Sequence, residues 1–181
     1  AVGDEVELMI DANYLFSFNR ALELCKRLEP YHVTWFEEPV YQNDALLLAD
    51  LRRHTSIPIA AGQNEGHRFR HRELIANHAV DIAQPNVCSV GGYTEAVKVA
   101  ALAQAFNLPI ANGGGWPHHN MHLQAGMANG WRVEFHFEMW GVGDKIYKEP
   151  PAPDHGWVTL PETPGLGLEP RFDALKEFEE K

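Results

Sequence analysis

The sequence has little cysteine and no long apolar run. Its two cysteines, Cys25 and Cys88, are far apart and lack the spacing of a metal site or a disulfide framework. No apolar stretch approaches the roughly 20 residues needed to cross a bilayer. The N-terminal residues also lack the basic and apolar segments of a secretion signal. These absences predict a cytoplasmic protein that does not insert into a membrane.

Positive charge is also scarce. The 15 Lys and Arg residues face 25 Asp and Glu residues, which gives a formal net charge of −10. Because the acids are spread along the chain, the composition argues against a nucleic-acid partner and against binding to an anionic membrane. A hydrophobic content of 45% is that of a globular chain with a substantial core. One globular domain is therefore the expected organisation.

Short apolar runs alternate with helical patterns along most of the chain. An example is Ala45 to Leu51, which Asn43 and Asp44 can cap. The strands recur at roughly 25 residues, the length of a βα unit, which fits either an open parallel sheet or part of a barrel. Six units are too few to close an eight-stranded barrel. The six predicted strands are Val6 to Ile10, Val33 to Phe36, Ile57 to Ala61, Val80 to Ala83, Pro109 to Ala111 and Arg132 to Phe137.

Oxygen-bearing side chains stand where the first three predicted strands end. Asp11, Glu37 and Gln63 follow one another at equal intervals of 26 residues. In a parallel barrel, successive strand ends open into one mouth, so these side chains are expected to converge there. Two carboxylates and an amide oxygen suit a hard divalent cation such as Mg²⁺. The alternative interpretation is that each acid caps a helix or faces solvent.

Five motifs follow one another along the chain: Ile10-Asp11-Ala12-Asn13, Trp35-Phe36-Glu37-Glu38-Pro39, Pro58-Ile59-Ala60-Ala61-Gly62-Gln63-Asn64, Gln84-Pro85-Asn86 with Gly91-Gly92, and Pro164-Gly165-Leu166-Gly167. As an ordered set, they resemble the motifs of mandelate racemase-like members of the enolase superfamily. This resemblance extends over nearly the whole chain and implies a modified (β/α)₇β barrel, an α/β fold of the TIM type, preceded by a capping domain. Residues 1–148 would form an incomplete barrel of about strands 3 to 8, and residues 149–181 an irregular, proline-rich segment with a short helix. The capping domain and the first two strands would be missing.

The resemblance also implies a magnesium ion that stabilises an enediolate, formed when the proton next to a carboxylate is removed. Asp11 and Glu37 match two of the metal ligands, and Gln63 stands where the third ligand is normally Glu. Gln63 can coordinate through its amide oxygen, although the site loses one negative charge. Glu65 is the alternative third ligand, and Asn13 matches a polar neighbour of the metal.

The sequence departs from the family pattern at the residues that are expected to act as the catalytic base. Asn86 and the glycines Gly113 to Gly115 occupy the places of an Asp and His pair that often removes the proton. His118 and His119 follow shortly afterwards and are the candidate bases, because the pKa of imidazole suits proton transfer. Trp116 would cover the substrate. The alternative interpretation is that these histidines only pack or face water.

The last predicted strand carries Glu134, His136 and Glu138 at alternate positions, which predicts that all three lie on one side of the strand. Glu134 is nearest the family position whose carboxyl group hydrogen-bonds the developing enediolate. It is the third candidate catalytic residue, although the pattern does not separate it from Glu138.

The leading hypothesis is a magnesium-dependent lyase that dehydrates a hydroxy acid of the sugar-acid class, in a protein that is a homo-oligomer at full length. Its small carboxylate substrate would contact Asn13, Asn64, Asn86 and Trp116. A racemase, epimerase or cycloisomerase would use the same enediolate. A family member without catalysis that acts as a binding protein is the third hypothesis, because Gln63 and Asn86 depart from the pattern.

Overall fold

The computed structural model describes residues 2–3 and 5–179. Six strands form one parallel sheet in which each strand pairs with the next along the chain. A helix follows each of the first five strands, so the architecture is a succession of βα units. The strands are β1 Met9–Asp11, β2 Trp35–Glu37, β3 Ile59–Ala61, β4 Ile82–Ala83, β5 Ile110–Ala111 and β6 Gly130–Arg132. The predicted incomplete (β/α) barrel is confirmed.

The helices pack on the outer face of this sheet. They are α1 Phe18–Leu28, α2 Ala45–Arg53, α3 His67–Ala76, α4 Tyr93–Ala105 and α5 Pro117–Gly126. The predicted cap of α2 is present, since the Asp44 side chain accepts hydrogen bonds from the backbone of Leu46 and Leu47 at 2.9 and 3.0 Å. Downstream of β6, the chain forms α6 Phe137–Ile146, the antiparallel pair β7 Tyr147–Lys148 and β8 Glu169–Pro170, and α7 Phe172–Leu175.

The two faces of the sheet bury different residues. Outward side chains such as Ile10 and Phe36 join the main core with the helices. Inward side chains form a separate small cluster of Trp35, Ala60, Ile82 and Ala111. Because side chains two residues apart on a strand share a face, the inward face of β2 carries Glu37 as well as Trp35. The barrel interior therefore becomes acidic at the carboxyl ends of the strands.

The prediction that Glu134, His136 and Glu138 share one side of a strand is wrong. β6 ends at Arg132, and the backbone N–H of Glu134 donates to the Asn112 side chain at 3.0 Å instead of continuing the ladder. His136 precedes α6 as its N-cap, and Glu138 lies in the first helical turn, where it is exposed. The alternation of side chains between the two faces of the strand stops after β6, where the Asn112 side chain accepts the backbone hydrogen bond of Glu134.

The C-terminal segment contacts the barrel through α5. Residues 149–168 have little regular structure, but a ring nitrogen of His122 lies 3.0 Å from the Leu166 carbonyl oxygen. The short helix predicted in this segment corresponds to α7, which is followed by a 3₁₀ turn at Lys176–Phe178, and residues 180–181 lie outside the described residues. No helix in the described part of the chain has the length and apolar character to cross a membrane.

Candidate active site

Two acids lie side by side at the carboxyl ends of the first two strands. Parallel pairing sets Asp11 directly opposite Glu37. The Asp11 carboxylate accepts hydrogen bonds from the backbone N–H and the side-chain amide of Asn13, at 2.8 and 2.7 Å. Asn13 therefore orients Asp11, which is a different role from direct contact with substrate. Burial raises the pKa of Asp11, and the Asn13 backbone hydrogen bond acts in the opposite direction.

Glu37 is the buried centre of the site, with a residue exposure of 7%. Burial, followed by the charges of Asp11, Glu134 and Glu38, raises the pKa of Glu37 to about 8, against the lowering effect of the nearby Gln84 amide. The indole N–H of Trp35 donates to the carboxylate at 3.2 Å. Gln84 lies alongside without a hydrogen bond of ordinary geometry. A bound cation would stabilise the ionised form of this carboxylate, which is removed from water and lies among other acids.

Glu134 extends this acidic mouth from the far end of the sheet. Its carboxylate accepts a hydrogen bond from the backbone N–H of Gly115 at 2.6 Å, and its charge raises the pKa of Glu37. Asn112 accepts from the Glu134 backbone and donates to the Gly115 carbonyl oxygen at 3.1 Å. The structure thus brings Glu134 to the glycine loop that faces Glu37.

Gln63 reaches the same space from the loop after β3. A methyl group built on Gly113 would lie 2.5 Å from Glu37 Oε1 and 3.1 Å from Gln63 Oε1, so both oxygens border one small gap beside that glycine. The Gln63 nitrogen points the other way and donates to Glu38 at 2.5 Å. Two oxygens around a gap that lacks a side chain, with Asp11 adjacent, are a donor set that suits Mg²⁺.

Glu65, the alternative third ligand, is engaged elsewhere. Its carboxylate accepts hydrogen bonds from Arg70 at 3.0 Å and from Asn43 at 3.5 Å. Within residues 2–3 and 5–179, no three Asp, Glu, His or Cys side chains are arranged to hold a metal ion. A cation at this mouth would therefore need an oxygen from an amide, the backbone or the substrate, and the amide of Gln63 is in place.

Asparagines hold the loop Gly113 to Gly115. Asn86 donates to the Gly113 carbonyl oxygen at 2.7 Å, and Asn120 donates to the Gly115 and Trp116 carbonyl oxygens at 3.0 and 3.2 Å. The Asn86 amide, predicted to contact substrate, is used here to position the loop. Sequence reasoning missed Asn112 and Asn120. Asn112 directly precedes three glycines, where a side chain able to bond the loop backbone would be expected.

The two candidate bases differ in their surroundings. His118 is 1% exposed, packs near Phe135 and Tyr147, and has no hydrogen-bond partner for either ring nitrogen among the described residues. His119 is only partly buried, lies 6.1 Å from the Trp116 ring and has an Nδ1 that is likewise unpartnered within that part of the chain. Burial lowers the pKa of both imidazoles, so each is neutral and able to accept a proton near neutral pH.

The remaining predicted contacts lie at the rim. Asn64 is exposed and donates to the Tyr14 hydroxyl at 2.6 Å, which joins the loops after β1 and β3. Trp116 has a left-handed backbone, with φ of 54°, at the start of α5, and it is partly buried beside His119. Asn64 directly follows Gln63, and Trp116 directly follows the Gly113 to Gly115 loop, so both stand in loops that follow the carboxyl ends of strands.

Comparison with known proteins decides the family. Residues 1–174 match the family described as enolase C-terminal domain-like. The chain belongs to this family. Its relatives include sugar-acid dehydratases and cycloisomerases, and its structural neighbours include members named for mandelate racemase.

Arabinonate dehydratase of Saccharolobus solfataricus is 33% identical over 98% of this chain and 48% of its own length. D-galactarolactone cycloisomerase of Agrobacterium fabrum is 32% identical over 98% of this chain and 50% of its own. L-Talarate dehydratase from Polaromonas sp. JS666, solved with Mg and L-glucarate, aligns with a TM-score of 0.88 at 31% identity over 97% of this chain and 48% of that one. The chain spans about half the length of the curated relatives it matches.

Proposed function

We propose that the protein is a magnesium-dependent lyase that removes the α-proton of a sugar-acid carboxylate and eliminates water. The observation that carries this proposal is the register of Asp11 opposite Glu37, beside a gap that the Gln63 oxygen also faces. Similarity to dehydratases of arabinonate and D-xylonate supports the substrate class.

In this proposal, Asp11, Glu37 and Gln63 hold the cation. When bound, Mg²⁺ would withdraw charge from the substrate carboxylate and make the adjacent C–H more acidic. His119 takes the α-proton, because its ring is partly accessible, whereas His118 is enclosed. The β-hydroxyl then leaves as water with a proton from a general acid. Glu134, in its protonated form, donates a hydrogen bond to the oxyanion, and the Gly115 N–H fixes the position of the Glu134 carboxyl group. Trp116 and Asn64 contact the rest of the sugar acid.

Product analysis tests the activity. Purified full-length protein with Mg²⁺ is incubated with a panel of five- and six-carbon aldonic and aldaric acids, and the products are identified by mass spectrometry. A 2-keto-3-deoxy acid is expected. His119→Asn should abolish this product while the protein stays folded, and His122→Asn, which changes a histidine bonded to the Leu166 carbonyl, should retain turnover. A panel that yields no dehydration product would contradict the proposal.

A cycloisomerase is the second candidate, because two relatives with that name cover 98% and 96% of this chain. It would use the same metal site and proton transfer. Conversion of a lactone or anhydro sugar acid without a change of mass identifies it. A metal titration separates both enzymes from a protein that only binds a ligand, since neither can operate without the cation. Location in the cytoplasm and a homo-oligomeric full-length state remain predictions.

Cation affinity is expected to rise with pH. The Glu37 pKa is raised to about 8, so the metal-free protein carries a proton there at neutral pH, and the cation must displace it. The apparent association constant should therefore increase up to about tenfold per pH unit below pH 8 and level off above it. Calorimetric titration of Mg²⁺ between pH 6 and 9 measures this slope. An affinity independent of pH would contradict the assignment of Glu37 as a ligand.

A further inference from the structure

We infer that Glu38 is a positioning residue that turns the Gln63 amide so that its oxygen, and not its nitrogen, faces the cation. The inference rests on the proposed function in one respect, since it takes Gln63 as a ligand of that metal site. Glu38 itself lies outside the mouth, directly after the ligand Glu37.

Glu38 is a completely buried carboxylate that accepts hydrogen bonds from several sides. Its exposed fraction is 0%, and a backbone φ of 44° turns it away from the inward face of β2. Asn43 donates to Oε1 at 2.9 Å and Gln63 donates to Oε2 at 2.5 Å. Burial raises the pKa of Glu38, and the neighbouring donors, Gln63 and Asn43 first among them, act in the opposite direction. Both carboxyl oxygens thus act as acceptors for a side-chain amide nitrogen.

An amide nitrogen donates hydrogen bonds and cannot accept them, so the contact of the Gln63 nitrogen with a carboxyl oxygen of Glu38 fixes the NH₂ end of Gln63 toward Glu38. The two ends of a primary amide have nearly the same shape, and the hydrogen-bond network alone decides which way the group points. With the nitrogen fixed by Glu38, Gln63 Oε1 lies at the gap bordered by Glu37 Oε1 and Gly113. The reversed amide would direct two N–H donors at a cation.

The same contact accounts for glutamine where the family normally has glutamate. A carboxylate at position 63 would lie about as close to Glu38 as the amide nitrogen does now, 2.5 Å. Two like charges at that separation cannot both ionise without a large cost. Glu38 and Gln63 are thus a matched pair in which a carboxyl oxygen accepts from the amide nitrogen, and the amide oxygen faces the gap beside Gly113.

Metal affinity of matched variants tests this pairing in the full-length protein. Mn²⁺ is the probe, because bound and free ions are distinguished by electron paramagnetic resonance without any substrate. Glu38→Gln replaces one of the two acceptor oxygens by a donor, so the amide of Gln63 loses its fixed orientation, and the change should weaken Mn²⁺ binding by about tenfold or more, the usual effect of losing a partner of a metal ligand. Asn129→Ala is the control for lost buried hydrogen bonds. Asn129 bonds the Ala100 and Leu108 carbonyls near the opposite strand ends, so this variant should lower the Tm and leave Mn²⁺ affinity unchanged.

The reciprocal exchange Glu38→Gln with Gln63→Glu provides the second measurement. The amide introduced at position 38 would donate to a carboxylate at position 63, so the pair is restored with its charge moved onto the ligand. The double variant should bind Mn²⁺ at least as tightly as the wild type and have a higher Tm than Gln63→Glu alone. This comparison tests the role of Glu38 even if the single variant Glu38→Gln does not fold.

The outcomes separate the inference from the proposed function. If wild-type protein does not bind Mn²⁺, the proposed function fails and the inference fails with it. If the wild type binds and Glu38→Gln binds equally well, the inference alone is overturned. A folded double variant whose Mn²⁺ affinity is more than about tenfold below wild type would also overturn it, because restoring the hydrogen bond between residues 38 and 63 would then not restore the ligand.

Discussion

Replacing Glu37 with glutamine should eliminate cation binding and turnover while leaving the protein folded. Glu37 is the more buried of the two acidic candidate ligands, and its carboxylate borders the gap beside Gly113. The amide keeps the shape of the side chain and removes the charge that would attract the ion. Since a bound metal supplies several kcal/mol of charge stabilisation and about 1.4 kcal/mol is tenfold in rate, kcat/KM should fall by at least about 1,000-fold.

The stability of the same variant should change in the opposite direction. An acid whose native pKa is raised from its ordinary value to about 8 binds a proton in the folded state that the unfolded chain releases, so metal-free wild type loses stability as the pH rises from about 4.5 to 8. Glutamine resembles the protonated acid and has no such dependence. Without metal, Glu37→Gln should match wild type near pH 5 and exceed its Tm near pH 9.

Two measurements check this prediction, thermal unfolding across pH without metal and steady-state kinetics with Mg²⁺. Glu23→Gln is the matched control, because Glu23 is an exposed acid of α1 paired only with Arg20 among the described residues. It should change neither the kinetics nor the pH dependence of the Tm. If Glu37→Gln retained turnover, the cation would have to be held by other groups.

The sequence predicted the fold because its hydrophobic pattern is regular. Successive strand ends at Asp11 and Glu37 are 26 residues apart, and the structure pairs those residues directly across β1 and β2. Because each interval of 26 residues holds one βα unit, each parallel strand ends at nearly the same level as the strand before it. The convergence of these acids follows from that geometry, and their role as ligands remains a prediction.

Residues that act through the backbone could not be predicted in the same way. Asn112 and Asn120 bond the carbonyl oxygens of the glycine loop, and their partners are set by where β5 and α5 bring that loop. Glu38 directly follows Glu37 in the sequence, and its left-handed backbone turns it toward Gln63. The prediction that Glu134, His136 and Glu138 alternate along a strand was wrong for the same reason, since the Glu134 backbone bonds the Asn112 side chain beyond the end of β6.

Substituting alanine for Gly113 should remove the cation site with little effect on folding. The added methyl would lie 2.5 Å from Glu37 Oε1 and 3.1 Å from two atoms of the Gln63 side chain, so it would occupy the gap between the proposed ligands. The first atom to move would be the end of a side chain, which costs the fold little. For the site the cost is large, because the displaced oxygen is the one that faces the cation, and Mg²⁺ tolerates little departure from octahedral geometry.

Mg²⁺ affinity should therefore fall by about 10- to 100-fold, the range found when the positions of metal ligands are disturbed, and turnover should fall with it. Gly141→Ala is the matched control, because Gly141 lies within α6 and a methyl there meets nothing within 4 Å in the described part of the chain. Alanine at that position should keep wild-type affinity and raise stability by up to about 1 kcal/mol through its helix propensity. Calorimetry with Mg²⁺ and thermal unfolding distinguish the two variants. Equal Mg²⁺ affinity in both would show that the space beside Gly113 is not where the cation binds, and Asp11 and Glu37 would then have to meet it from another side.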